Sequence, residues 1–77
     1  MTYNYTTVFE TEDEGGYHVF CPTLPGCHSY GVTIEEAKKN IKEAIEAYIE
    51  SLIKDGEAIP EEKDIMIGEV KLEMASV

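Results

Sequence analysis

Two cysteines and two histidines lie close together in this chain: His18, Cys21, Cys27 and His28. Side chains of these types form structural zinc sites and, as a cysteine–histidine pair, thiol nucleophiles. Their spacing argues against both. Structural zinc takes cysteines two to four residues apart, with a second pair equally close. Here residues 22–26 separate the cysteines, and His28 directly follows Cys27, which in a strand sends the two to opposite faces. A reactive thiol needs a neighbouring cation to lower its pKa, and no lysine or arginine precedes Lys38. Cys21 and Cys27 therefore read as small buried apolar residues on adjacent strands, and neither a metal nor a cofactor is expected.

Carboxylates are the other chemically able group. The chain has 16 Asp and Glu against 6 Lys and no Arg, for a net charge of −10. A two-metal nuclease needs several acids converging from the interior of a strand and a helix. The first strand candidate holds no acid before Glu10, while Glu12, Asp13 and Glu14 are consecutive in a turn, as in a solvated loop. Gly15-Gly16 precedes a strand rather than a helix, so no phosphate-cradling loop is present. A non-enzymatic binding module is the leading reading, with a metal-dependent nuclease-fold enzyme as the alternative. The negative field repels nucleic acid and suits a basic protein partner. Exposure and sign select Glu10, Glu12, Asp13, Glu14, Glu35, Glu43, Glu46 and Glu50 as candidate partner-binding acids.

These residues must be positioned by a small α+β domain spanning 1–77. Residues 3–10 alternate, with Tyr3, Tyr5, Thr7 and Phe9 on one parity, and predict a first strand. The turn "TEDEGG" leads to a second strand over 17–21, with Tyr17, Val19 and Cys21 on one face and His18 and Phe20 on the other. Pro22 lacks an amide donor and ends that ladder, and Pro25-Gly26 marks a tight turn into a short third strand ending near Gly31. "TIEE" then makes Thr33 an N-cap with Glu36 as its capping-box partner. Ile34, Ala37, Ile41, Ile45, Tyr48, Ile49 and Leu52 form one apolar stripe of a helix of about 22 residues capped by Gly56. Residues 65–74 alternate again and predict a last strand, with Met66, Val70, Leu72 and Met74 on one face and a bulge at Gly68. The expected order is β-β-β-α-β, an antiparallel-rich sheet with one long amphipathic helix on one face.

One helix covers one sheet face, and Tyr17, Phe20, Ile65 and Ile67 divide between faces that a single helix cannot cover together. A homo-oligomer, dimer or higher, is therefore expected. No apolar run reaches membrane-spanning length and the N-terminus has no basic flank, so a cytoplasmic location without membrane contact is expected.

The stretch "GGYHVFCPTLPGCHSYGVTIEEAKKNIKEAI" resembles the HicB-like antitoxin family, through Gly16, Pro22, Pro25, Gly26, Cys27, Gly31, Thr33, Glu36 and Ala37, with Tyr17, Leu24 and Glu35. The resemblance implies a partial ribonuclease-H-like fold and a type II toxin–antitoxin role. It further implies a small basic HicA-type mRNA interferase as partner, neutralised by occlusion. Fuller family members carry a C-terminal DNA-binding domain. This sequence runs to Val77 directly after the last expected strand, which reads as a standalone member without direct operator contact. An orphan oligomeric HicB-like domain with another partner is the further alternative.

Overall fold

A computed structural model describes residues 2–63 and 65–75. Three strands, β1 (Val8–Thr11), β2 (Tyr17–Phe20) and β3 (His28–Gly31), precede one helix, α1 (Ile34–Lys54). The strands form an antiparallel sheet in the order β1-β2-β3. This is the expected β-β-β-α part of an α+β fold.

Turn chemistry sets the strand lengths. Glu12 and Gly16 close the β1–β2 connection, with the Gly15 amide donating to the Glu12 carbonyl and the Glu12 amide to that of Gly16. Beyond Phe20, the Cys21 amide donates to the Cys27 carbonyl, and the segment between them folds on itself through Leu24 N–H to Cys21 O and Cys27 N–H to Leu24 O. Gly26 supplies the positive φ of 79° this turn requires. Because β2 turns away there, its last residue Phe20 pairs with Val8, and the β1–β2 ladder stops short of residues 3–7. The first strand is accordingly shorter than the alternation of 3–10 predicts.

The helix follows its sequence signals closely. Thr33 sits in the extended region (φ −120°, ψ 165°), and its hydroxyl accepts the Glu36 amide at 3.1 Å. The Glu36 carboxylate reaches back past the cap to accept the Val32 amide at 3.1 Å, one residue before the Thr33 amide that the capping-box pattern predicts. Gly56, at φ 69°, ends the helix and donates to the Ile53 carbonyl. Val19, Cys21, Leu24, Cys27, Ala37 and Ile41 form the core, and Tyr5, Phe9, Tyr17, Ala44, Ile45 and Tyr48 pack around it.

The last expected strand is corrected. Residues 65–75 form no ladder and lie exposed, so Gly68 marks no bulge. Alternation makes a segment suited to a sheet, but a strand also needs an edge to pair with. The chain leaves the fold after Glu62 and meets no such edge among the described residues. The apolar face of this C-terminal arm is bare: Met66 and Val70 are each 93% exposed and Leu72 76%.

Candidate partner-binding surface

The strand register decides which acids meet. Thr11 lies opposite Tyr17, and Tyr17 opposite Gly31, two residues before the helix cap. The β1–β2 turn and the first turn of α1 therefore share one end of the sheet. Glu12, Asp13 and Glu14 gather there with Glu35 and Glu36, all exposed. Tyr30 ties this end together: its hydroxyl donates to the Gly15 carbonyl at 2.8 Å, and Asn40 Nδ2 donates to the Tyr30 carbonyl at 2.7 Å. The result is an acidic knob on two fixed supports.

The remaining candidate acids are elsewhere. Glu10 lies on the outer sheet face, with Oε1 3.3 Å from His18 Nδ1. Glu43 lies on the exposed side of α1. Glu46 and Glu50 stand further along the helix beside a groove of about 690 Å³ that runs between α1 and residues 2–7. That groove follows from lengths. Twenty-one helical residues span about 31 Å, while a four-residue strand covers about 13 Å. The helix outruns the ladder in length, and residues 2–5 and Thr7 form the groove wall facing it. Ile41, Ile45 and Ile49 form the helical wall.

His18, Cys21, Cys27 and His28 all line one open cleft of about 380 Å³, with the cysteines at its buried side and the histidines on the outer sheet face. Cys21 and Cys27 are buried in the core and not joined in a disulfide. Burial pushes both thiols up from their ordinary value, with Cys21 adding to the effect at Cys27. They are poor nucleophiles. His18, Phe20 and His28 instead share the outer sheet face, with the His18 ring centroid 5.9 Å from Phe20 and 5.4 Å from His28. Among the described residues, no group of three or more His, Cys, Asp or Glu is assembled that would hold a metal ion, and no helix is long and apolar enough to cross a membrane.

One functional-looking contact escapes sequence reasoning. Glu62 takes the Thr6 amide and, at 2.9 Å, the Thr6 hydroxyl on one side, and the Thr23 hydroxyl at 3.3 Å on the other. Tyr5 adds a hydroxyl bond to the Pro60 carbonyl at 2.7 Å. This latch fixes the point from which the arm departs. Its donors hold the Glu62 carboxyl below the usual carboxylate range, the Thr6 amide contributing most. In sequence Glu62 is one acid within "PEEKD", and nothing local distinguishes it.

A family described as the HicB-like antitoxin of a bacterial toxin–antitoxin system matches residues 5–75. The chain belongs to the HicB-like antitoxin family. It is 62% identical over 60 residues to a UPF0150 protein of Synechocystis, covering 78% of this chain and 76% of that one. A UPF0150 protein of Thermoplasma acidophilum is 60% identical over 55 residues, covering 70% and 80%. Among solved structures, the N-terminal domain of the Burkholderia pseudomallei antitoxin HicB is 42% identical with a TM-score of 0.64, covering 69% of this chain and 62% of that chain. A chain of a HicA3 and HicB3 toxin–antitoxin complex is 30% identical with a TM-score of 0.61, covering 73% of this chain and 64% of that chain. The match thus spans slightly less than two thirds of each of these two solved chains.

In this HicB-like domain the motif residues occupy turns and close approaches. Gly26 sits in the turn bounded by Pro22 and Cys27, with Pro25 before it. Thr33 caps α1 by accepting the Glu36 amide, and the Glu36 carboxylate accepts the Val32 amide. Gly16 (φ 84°) lies beneath the Tyr30 hydroxyl, where an added Cβ would fall 2.1 Å from that oxygen. Gly31 lies against the first turn of α1, where a Cβ would fall 2.2 Å from the Ala37 amide nitrogen. The motif therefore holds the acidic knob in place.

Proposed function

We propose that this chain is a non-enzymatic, cytoplasmic antitoxin domain that neutralises a small basic HicA-type mRNA interferase by covering its RNA-binding or catalytic surface. The observation that carries the reading is the family match over residues 5–75, and the solved HicA3–HicB3 complex supports a toxin as partner. Partial ribonuclease-H-like architecture serves here as a frame for surface charge. The knob of Glu12, Asp13, Glu14 and Glu35 is the proposed docking face, because it concentrates charge of the sign a basic partner requires. The domain acts as a self-associated oligomer and makes no direct contact with nucleic acid.

The test uses a purified HicA-type interferase in stopped-flow association and RNA-cleavage inhibition. Association is expected to be fast at low salt and to slow steeply toward physiological ionic strength, where screening limits the field to about 8 Å. Reversing Glu12, Asp13 and Glu14 to lysine should lower the on-rate and leave the thermal melt nearly unchanged, because the turn is exposed. Undiminished cleavage at saturating antitoxin would defeat the neutralisation reading. A salt-independent on-rate would defeat the choice of surface.

A further inference from the structure

Two thiols stand opposite each other just past the end of the β2–β3 ladder. The register pairs Phe20 with His28, and the next step outward brings Cys21 to Cys27, whose carbonyl accepts the Cys21 amide at 3.0 Å. Residues directly opposed in an antiparallel pair send their side chains to one face. Both cysteines accordingly lie in the one core cluster, 2% and 5% exposed, and both are free thiols. A hydrogen-bonded antiparallel pair holds its Cα atoms about 5.5 Å apart, inside the range of about 4.4–6.8 Å that a disulfide spans. The corresponding Cβ separation of about 5 Å exceeds the bridged mean of about 3.8 Å, so closure draws these atoms together by about 1 Å. The cleft lined by Cys21, Gly26 and Cys27 gives a small molecule a way in. The two thiols are not equivalent. Burial raises both, but the Leu24 and Thr23 amides of the intervening turn act against it at Cys21, whereas the charge of Cys21 raises Cys27 further.

We infer that Cys21 and Cys27 are a redox-sensitive pair, which a small hydroperoxide closes into a disulfide across the turn of residues 22–26. With hydrogen peroxide, the Cys21 thiolate attacks one oxygen and the O–O bond breaks. The products are the Cys21 sulfenic acid and a hydroxide, which takes up the proton lost from the thiol. The Cys27 sulfur then attacks the Cys21 sulfur: the S–S bond forms, the S–O bond breaks, and hydroxide leaves with the Cys27 proton as a second water. Two thiols and one peroxide thus give one disulfide and two waters. The contraction that closure demands strains the bridge, which keeps it open to reduction by a dithiol. Closure also fixes the turn that carries Thr23, one of the donors to Glu62, so the bridge reinforces the latch. The turn lies at the opposite end of β2 from the acidic knob, and the inference is independent of toxin binding.

The test treats the reduced full chain with hydrogen peroxide, reads the intact mass without reductant and counts free thiols by alkylation. The expected product is a single chain lighter by two hydrogens, with no alkylatable thiol, returned to the starting mass by dithiothreitol. Its melting temperature should exceed that of the reduced chain by about 5–10 °C, the loop-closure gain less the strain, with an unaltered helical circular dichroism signal. The reaction should quicken as pH rises, because the thiolate is the attacking form. Cys27→Ala should gain oxygen at Cys21 and lose no hydrogens. Survival of both thiols, gain of oxygen without a bridge in the unmodified chain, or a disulfide joining two chains would each overturn the inference. A bridge that lowers the melting temperature would overturn it as well, since the native register would then not be what brings the sulfurs together.

Discussion

Replacing Gly31 by Ala tests whether the contact between β3 and α1 is as close as its geometry implies. Gly31 is buried, and its φ lies outside the left-handed region, so an L side chain meets no backbone objection. The objection is steric. The added Cβ would fall 2.2 Å from the Ala37 amide nitrogen, 2.6 Å from its Cα and 2.8 Å from the Glu36 carbonyl carbon. All three are backbone atoms in the first turn of a helix, and none can rotate away. Relief requires the helix start to move off the sheet, which costs about 1–3 kcal/mol as overpacking. The same shift disturbs the Thr33–Glu36 cap, adding about 1 kcal/mol. The expected loss is therefore roughly 2–4 kcal/mol, against a total stability of about 4–12 kcal/mol for a domain of this size. Gly26→Ala is the control: its Cβ meets nothing within 4 Å, and only the left-handed φ counts against it, at about 1 kcal/mol. Urea unfolding at one fixed protein concentration separates the two variants. If Gly31→Ala lost no more than Gly26→Ala, the close approach of β3 to α1 would be wrong.

Two further outcomes follow from the caps and the latch. Thr33→Ala should cost about 1 kcal/mol in the same urea experiment, because the hydroxyl that accepts the Glu36 amide is removed; an unchanged midpoint would contradict the Thr33 cap. The Glu62 carboxyl is depressed in the folded chain, chiefly by the Thr6 amide. Its contribution is therefore fully present above the unfolded value of about 4.3 and is lost as pH falls through the lower folded value. The Thr6 amide resonance should titrate with a midpoint below the unfolded value in the unmodified chain and not in Glu62→Gln, whereas a midpoint above the unfolded value would refute the assigned donors.

Local signals carried most of the fold. "TIEE" and Gly56 bounded α1 because capping chemistry lies within one turn of the chain, and the helix stripe needed only its own period. Cys21 and Cys27 were legible as core residues for the same reason: strand parity and the absence of any early cation settled their environment. Long-range facts were not legible. Residues 3–7 alternate as well as 8–11 do, and the turn of β2 at Cys21 ends its ladder with β1 at Val8. Alternation over 65–74 is likewise real, but it specifies a face and not a neighbour. The acids chosen by sign and exposure divide into a knob, a groove edge, Glu43 on the open helix side and Glu10 beside His18, a division set by strand register and helix length.

That division has an electrostatic consequence. Glu35, at the knob, and Glu50, at the far edge of the groove, are fifteen residues apart on one straight helix, or about 22 Å. Exposed charges separated by more than the Debye length of about 8 Å are largely screened from one another at physiological salt. The knob and the far edge of the groove are therefore nearly independent electrically, whereas Lys38, three residues from Glu35 on the same helix, lies within reach of the knob. Reversing Glu50 leaves the field at the knob in place, whereas reversing Lys38 adds to it. A chain of net charge −10 is expected to repel its own copies, yet the local charge at the groove is mixed, and only local charge acts across a contact at this ionic strength. The field that a basic partner would meet at the knob is thus set by Glu12, Asp13, Glu14, Glu35 and the neighbouring Lys38, and not by the acids at the far end of α1.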